Sequence, residues 1–164
     1  GGLLGLYTGG TLAHEARLIL GPLLGTVPHR LVDLGDDEYT RGRPHPMIDP
    51  SGREAMVREA GAVRETGVLL LDLVLGRAAH PDPARSLATA IGDARAAATR
   101  DGRALAVVAS VVGTAEDPQG LAAQTGALEA AGAVVLPSNA QAARFAALTL
   151  VPHLTATLLA SPGN

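Results

Sequence analysis

Cysteine is absent from the 164 residues. Disulfides, thiolate-bound metals and cysteine nucleophiles are thereby excluded. Tryptophan is absent as well, and aromatic residues amount to 2%, two Tyr and one Phe. With 47% hydrophobic residues, the core must be assembled from Leu, Val, Ile and Ala. A basic excess is missing too: the net charge is −3 and the pI about 5.9. That balance, with so few stacking aromatics, argues against a nucleic-acid binder. No apolar run reaches the length of a membrane span, so no membrane partner is expected and a cytoplasmic protein is the default. There is no internal repeat, no low-complexity linker and no His-x-x-x-His metal spacing, and no metal site is expected.

What is present is an alternation of apolar strands and helical segments. Leu3–Tyr7 is strand-like, and Thr8-Gly9-Gly10-Thr11 makes a turn. Leu12 to Leu20 has helical spacing, with Gly21 to Pro28 expected to end that helix. Arg30 to Leu34 reads as a second strand. Ser51 opens a helix reaching about Glu65, with Glu54 completing a capping box. Val68 to Leu75 and Ala104 to Val112 are apolar on both alternations, apart from Asp72 and Ser110. Such strands are covered on both faces, as in a parallel sheet. Helices are expected over Ala84–Arg100, Gln119–Ala131 and Asn139–Leu148, the last capped by Ser138, with a fifth strand over Ala133–Leu136.

Five strands alternating with five helices predict an α/β fold, a flavodoxin-like parallel sheet in the order 2-1-3-4-5. Residues 1–148 form one domain on this reading, and 149–164 an apolar extension broken by Pro152 and Pro162. The chain opens inside a strand, so a piece of a longer polypeptide is expected. Ligands of such sheets sit outside the carboxyl ends of the strands. That edge collects Thr8–Thr11, the long loop Gly35–Pro50, Gly76–Pro81 and Gly113–Pro118.

The long loop is the most unusual stretch. Asp33 to Arg53 holds no evident element, yet Pro44, Pro46 and Pro50 stiffen it. Asp36, Asp37, Glu38 and Asp49 stand against Arg41, Arg43 and His45. Arg43 and His45 are the candidate catalytic or substrate-contacting pair, because a guanidinium fork beside an imidazole suits a small anion. The alternative is a loop stapled by its own ion pairs, with Arg43 on Asp36 or Asp37. Thr8, Gly9, Gly10 and Thr11 form a candidate phosphate site at a helix N-terminus; the alternative is a tight turn with Thr11 as cap. Asp36, Gly113 and Thr114 complete the candidate substrate-binding set. Asp72, buried in a strand, is expected to be paired. His14, His29, His80 and His153 are read as surface or packed residues.

Three segments carry a family resemblance: Gly5-Leu6-Tyr7-Thr8-Gly9-Gly10-Thr11-Leu12, then Asp33-Leu34-Gly35-Asp36-Asp37 through Gly42-Arg43-Pro44-His45-Pro46-Met47-Ile48-Asp49-Pro50, then Gly113-Thr114 with Asp117-Pro118-Gln119. Together they resemble the C-terminal ligase-type domain of the FdrA family, related to the α subunit of succinyl-CoA synthetase. The resemblance covers nearly all of residues 3–148. It implies an acyl-CoA-synthetase-like protein handling an acyl or carbamoyl phosphate. An oxamate carbamoyltransferase-type subunit in purine-ureide breakdown is a second implication. A noncatalytic anion-binding assembly module is a third reading. CoA or a nucleotide would be bound through other domains of the polypeptide, in a homo- or hetero-oligomer. One departure stands out: the synthetase carries a phosphorylated histidine in a Gly-His-Ala-Gly-Ala loop after its fourth ligase-domain strand. The corresponding segment here, Gly113 to Gln124, contains no histidine. The phosphohistidine step is unavailable at that position.

Overall fold

The computed structural model describes residues 1–155. Five parallel strands, β1 (Gly2–Tyr7), β2 (His29–Asp33), β3 (Thr66–Val74), β4 (Ala106–Val112) and β5 (Val134–Leu136), form one sheet in the order β2-β1-β3-β4-β5. The helices are α1 (Gly10–Leu24), α2 (Asp37–Thr40), α3 (Ser51–Ala62), α4 (Pro83–Arg100), α5 (Leu121–Ala130) and α6 (Asn139–Leu150). A 3-10 turn, Pro152–Leu154, follows.

The two-sided burial expected of the central strands is realised. Leu69, Leu71, Leu73, Val107 and Ala109 face the layer built by α3, α4 and α5. Leu3, Tyr7, Val68, Leu70 and Val108 face α1 and α6. Side chains alternate across a strand, so a strand covered on both faces has to be apolar at every position. The shortage of aromatics is met by close approach of helices. Ala90, Ala94 and Ala98 of α4 and Ala142, Ala143, Ala146 and Ala147 of α6 are fully buried. Small side chains let these helices lie low on the sheet, and dense packing replaces bulk.

Several local expectations are corrected. Helix α1 does not stop at Leu20 but runs to Leu24 through Pro22. Proline there removes one bond to the carbonyl four residues earlier. That carbonyl belongs to Leu18, which is 65% exposed, so water can serve it. The cap of α1 is Gly9 rather than Thr11, with no side-chain bond. The capping box on α3 does not form. Pro50 is its N-cap, Ser51 is the first helical residue, and Glu54 is buried instead of reaching back. The long loop is not featureless: Asp36 caps the short helix α2 by accepting from Glu38 N at 3.3 Å. Ser138 caps α6 as expected, accepting from Gln141 N at 3.2 Å. Of the predicted extension, Thr149 and Leu150 belong to α6, and 156–164 lie outside the described residues.

Candidate active site at the carboxyl edge of the sheet

The strand order reverses between β1 and β3. From β1 the chain crosses to β2 on one side, and from β2 it crosses back to β3 on the other. The crevice at the carboxyl ends of β1 and β3 is thus the switch point where such sheets bind ligands. Here its floor is occupied by three of the chain's own residues. Asp72, fully buried near the end of β3, accepts from Thr8 N at 2.9 Å and from the Thr8 hydroxyl. Arg53 reaches in from α3 and donates through Nη1 to Asp72 Oδ1 at 2.9 Å and to the Asp72 carbonyl at 2.7 Å. The pair is almost completely withdrawn from solvent, at 2% and 0% side-chain exposure. Burial pulls the guanidinium's pKa down from its ordinary value, and the Asp72 and Glu54 carboxylates pull it back up. Removing one partner of such a pair leaves an uncompensated buried charge.

Arg53 is the residue the sequence reading missed. It marks the far end of the long loop, and an arginine in the first turn of a helix opposes the helix dipole. That misfit was the available signal. Thr8, expected to touch substrate, turns its N–H and hydroxyl inward to Asp72.

Above this floor lies the Gly-rich turn. Ala13 N closes the first bond of α1 to the Gly9 carbonyl, at 3.4 Å. The N–H groups of Gly10, Thr11 and Leu12 have no acceptor among the described residues, as the start of a helix requires. Three groups converge beside them around Gly35. A Cβ on Gly35 would lie 2.8 Å from His45 Nε2, 2.8 Å from the Thr8 carbonyl and 3.2 Å from Asp33 Oδ1. Only glycine leaves room for that convergence. Asp33 Oδ1 accepts from Gly35 N at 2.9 Å. Its Oδ2 lies 2.7 Å from where a Cβ on Gly10 would stand. A carboxylate therefore borders the turn.

His45 is half-buried, and its Nδ1 accepts from Met47 N at 3.2 Å. A neutral imidazole so held carries its proton on Nε2, the atom facing Gly35. The His45 carbonyl accepts from Ile48 N at 2.8 Å and Asp49 N at 3.0 Å. Met47 O accepts from His80 N at 2.7 Å, which ties the loop tip to the loop after β3. Ser51 donates to Asp49, and this hydrogen bond holds the Asp49 carboxyl below its ordinary range.

Arg43 and His45 do not share one cluster. Arg43 is exposed and lines a cavity of about 540 Å³ between the loop and α3, a cavity His45 does not reach. Arg43 forms no ion pair among the described residues, and Asp36 serves α2. The staple of Arg43 on Asp36 or Asp37 is therefore not formed.

The loop after β4 is built differently. Thr114 N is taken by Asp117 Oδ2 at 2.6 Å. Gln119 accepts from Gly76 N at 3.2 Å and donates to the carbonyls of Gly76 at 2.7 Å and His80 at 3.1 Å. Gln124 accepts from Ala84 N at 2.8 Å and donates to Asp82 at 3.0 Å. Two buried amides thus rivet this loop to the one after β3.

Of the remaining histidines, His14, His29 and His153 are exposed, while half-buried His80 accepts from Asp82 N at 3.1 Å. No cluster of three or more metal-capable side chains occurs among the described residues. No helix among them is long and apolar enough to cross a membrane.

Comparison with known proteins agrees with this architecture. The CoA-ligase family model matches residues 6–149. The chain is 34% identical over 154 residues to the uncharacterized protein YahF of Escherichia coli (strain K12), covering 82% of this chain and 30% of that protein. The chain thus spans under a third of the length of this relative. With the parallel sheet, the switch-point crevice and this match across nearly the whole described chain, the protein belongs to the CoA-ligase family.

Proposed function

We propose that this chain is the FdrA-type ligase domain of a longer enzyme that handles an acyl or carbamoyl phosphate. The phosphoryl group sits on the free N–H groups of Gly10, Thr11 and Leu12, where donors and helix dipole favour an anion. His45 donates a hydrogen bond to it from Nε2, which stabilises the charge that develops on its oxygens as the bond to the leaving group breaks. The observation that carries this reading is the convergence of His45 Nε2, the Thr8 carbonyl and Asp33 on the space above Gly35. The long loop thereby brings a hydrogen-bond donor to the Gly-rich turn at the switch point.

Asp33 favours the carbamoyl member of the pair. A carboxylate beside the turn repels a bare phosphate but accepts from the amino group of a carbamoyl phosphate. The same carboxylate bears on CoA. Three N–H groups next to one carboxylate can offset a single phosphoryl group and not the three phosphates of CoA. The residues of this turn do not fit that cofactor, and we assign CoA or nucleotide to other parts of the polypeptide.

The test uses the intact protein with its partners, assayed for phosphate release from carbamoyl phosphate. Activity that falls about a hundredfold or more in His45→Ala, the ordinary size of a lost charge-stabilising donor, with the melting temperature retained, supports the reading. Unchanged turnover in that variant refutes it.

A further inference from the structure

The start of α1 lacks the usual devices that hold a helix end. Its N-cap is Gly9, no side chain caps it, and no acidic residue lies in its first turn. Its first backbone bond, from Ala13 N to the Gly9 carbonyl, is long at 3.4 Å, against about 2.9–3.0 Å for an ordinary one. An end so held frays. Three N–H groups on a fraying turn would have to be ordered again each time they met an anion.

A side chain from another helix holds this turn instead. Asn139, the first residue of α6, is 4% exposed. Its Nδ2 donates to the Leu12 carbonyl at 3.0 Å and to Glu15 Oε2 at 2.6 Å. Its Oδ1 accepts from the Tyr7 hydroxyl at 3.1 Å. The Leu12 carbonyl and the Glu15 carboxylate only accept, so the amide nitrogen must face α1 and the amide oxygen Tyr7. Tyr7 is fully buried. Burial, with the Asp72 and Glu15 carboxylates, raises its hydroxyl above the ordinary pKa, so it stays protonated and keeps donating. The Leu12 carbonyl belongs to the peptide group that carries Ala13 N, the donor of the long first bond. Asn139 thus grips the first turn of α1 where its own bonding is weakest.

We propose that Asn139 is a positioning residue for the Gly-rich turn. It holds the first turn of α1 so that the N–H groups of Gly10, Thr11 and Leu12 stand ready for one phosphoryl group. This role rests on the reading of that turn as the phosphoryl site. Asn139 does not touch the ligand, because both N–H groups of its amide are spent on α1. It sets the donors in place before binding, so that no reorganisation is left to the moment of contact. The competing account makes Asn139 a buried polar group that only docks α6 on α1. Phosphate affinity would then follow stability and nothing else.

Inorganic phosphate titrated into the full chain well below its melting temperature, read by the Gly10, Thr11 and Leu12 amide shifts, separates the two. Asn139→Leu keeps the shape of the side chain and removes the grip. It should weaken phosphate roughly fivefold or more and speed hydrogen exchange at the Ala13 amide. It also leaves the Tyr7 hydroxyl buried without an acceptor, at a cost in stability. Tyr7→Phe combined with Asn139→Leu removes that hydroxyl. Replacing both partners of a buried bond by apolar groups of similar shape can be nearly neutral, so the double variant should recover stability. It should not recover phosphate affinity. The double variant also carries the test should the single one fail to fold. Phosphate affinity that returns with stability in the double variant, or is lost in neither, overturns the positioning role and leaves the site intact. Weaker phosphate with Ala13 exchange unchanged overturns it too, since Asn139 would then act on the anion directly. No saturable shift of the three amides in the parent chain overturns the phosphoryl site itself, and this proposal with it.

Discussion

The two halves of the carboxyl edge are built on opposite plans. On the β2-β1-β3 half, polar groups are gathered and left partly unsatisfied: three N–H groups at the start of α1, a half-buried His45, and an Arg53 whose buried Nε has no partner. On the β4-β5 half, the polar groups of the loop are spent on one another. Gln119 and Gln124 saturate backbone groups of the neighbouring loop, and Asp117 takes Thr114 N. A loop whose donors and acceptors are already paired offers little to a ligand, whereas the N–H groups of exposed Gly10 and Thr11 and of half-buried Leu12 are open to one. The resemblance to succinyl-CoA synthetase would put a phosphorylated histidine on the β4 side. In this chain that side is a rivet, with no histidine between Gly113 and Gln124.

The largest effect that would break this contrast is on stability. Asp72→Ala strands Arg53 as an unpaired buried charge and should cost about 3–5 kcal/mol, measured by urea unfolding. The exposed pair of Arg58 with Asp93, at 41% and 57% exposure, is the control. Asp93→Ala should cost about 1 kcal/mol or less. Equal costs would mean the switch-point floor is no special element. Next in size, Gln119→Ala should lose about 1–3 kcal/mol, because it leaves the Gly76 N–H and two carbonyls unpaired. It should leave ligand binding at the Gly-rich turn unaltered. A binding defect larger than the stability defect would show the β4 half to be functional after all.

A smaller effect sharpens the reading of the turn. Asp33→Asn removes the bordering carboxylate, so inorganic phosphate should bind several-fold tighter. Carbamoyl phosphate should gain less or lose affinity, because its amino group loses a charged acceptor. Parallel gains for both ligands would remove the preference for the carbamoyl group. The smallest effect is on the acid limb. Hydrogen bonding from Arg103, and then from Arg64, holds the Asp101 carboxyl below its ordinary pKa. A depressed folded pKa contributes stability above the unfolded value of about 3.9, and that stability is lost as pH falls through the folded pKa. Asp101→Asn should therefore flatten the melting-temperature decline below about pH 4 and change little at neutrality.

Much of this architecture is legible from residue patterns, and the reasons are physical. Val68–Leu75 is apolar at every position but Asp72, which only a doubly covered parallel strand tolerates. Alternation with helices then fixes the fold class. The boundaries were less legible. Pro22 reads as a stop, yet sits in a final turn where solvent can replace the lost bond. Ser51 and Glu54 match a capping box, but the Glu54 carboxylate is turned inward towards the buried Arg53 guanidinium instead. In the site, Gly9–Thr11 and His45 stand out locally because glycine and proline punctuate them. Arg53 does not, since its role depends on Asp72, nineteen residues away in the chain and joined only through tertiary packing. Gln119 and Gln124 are likewise silent until the loops they bridge are brought together.

The most direct test of the contrast is an amide-resolved NMR titration of the chain with carbamoyl phosphate. The account predicts that the Gly10, Thr11 and Leu12 amides shift together and saturably, with the His45 ring protons following, while Gly113 to Gly120 stay in place. Saturable shifts confined to Gly113–Gly120, with the Gly-rich turn unmoved, would contradict it.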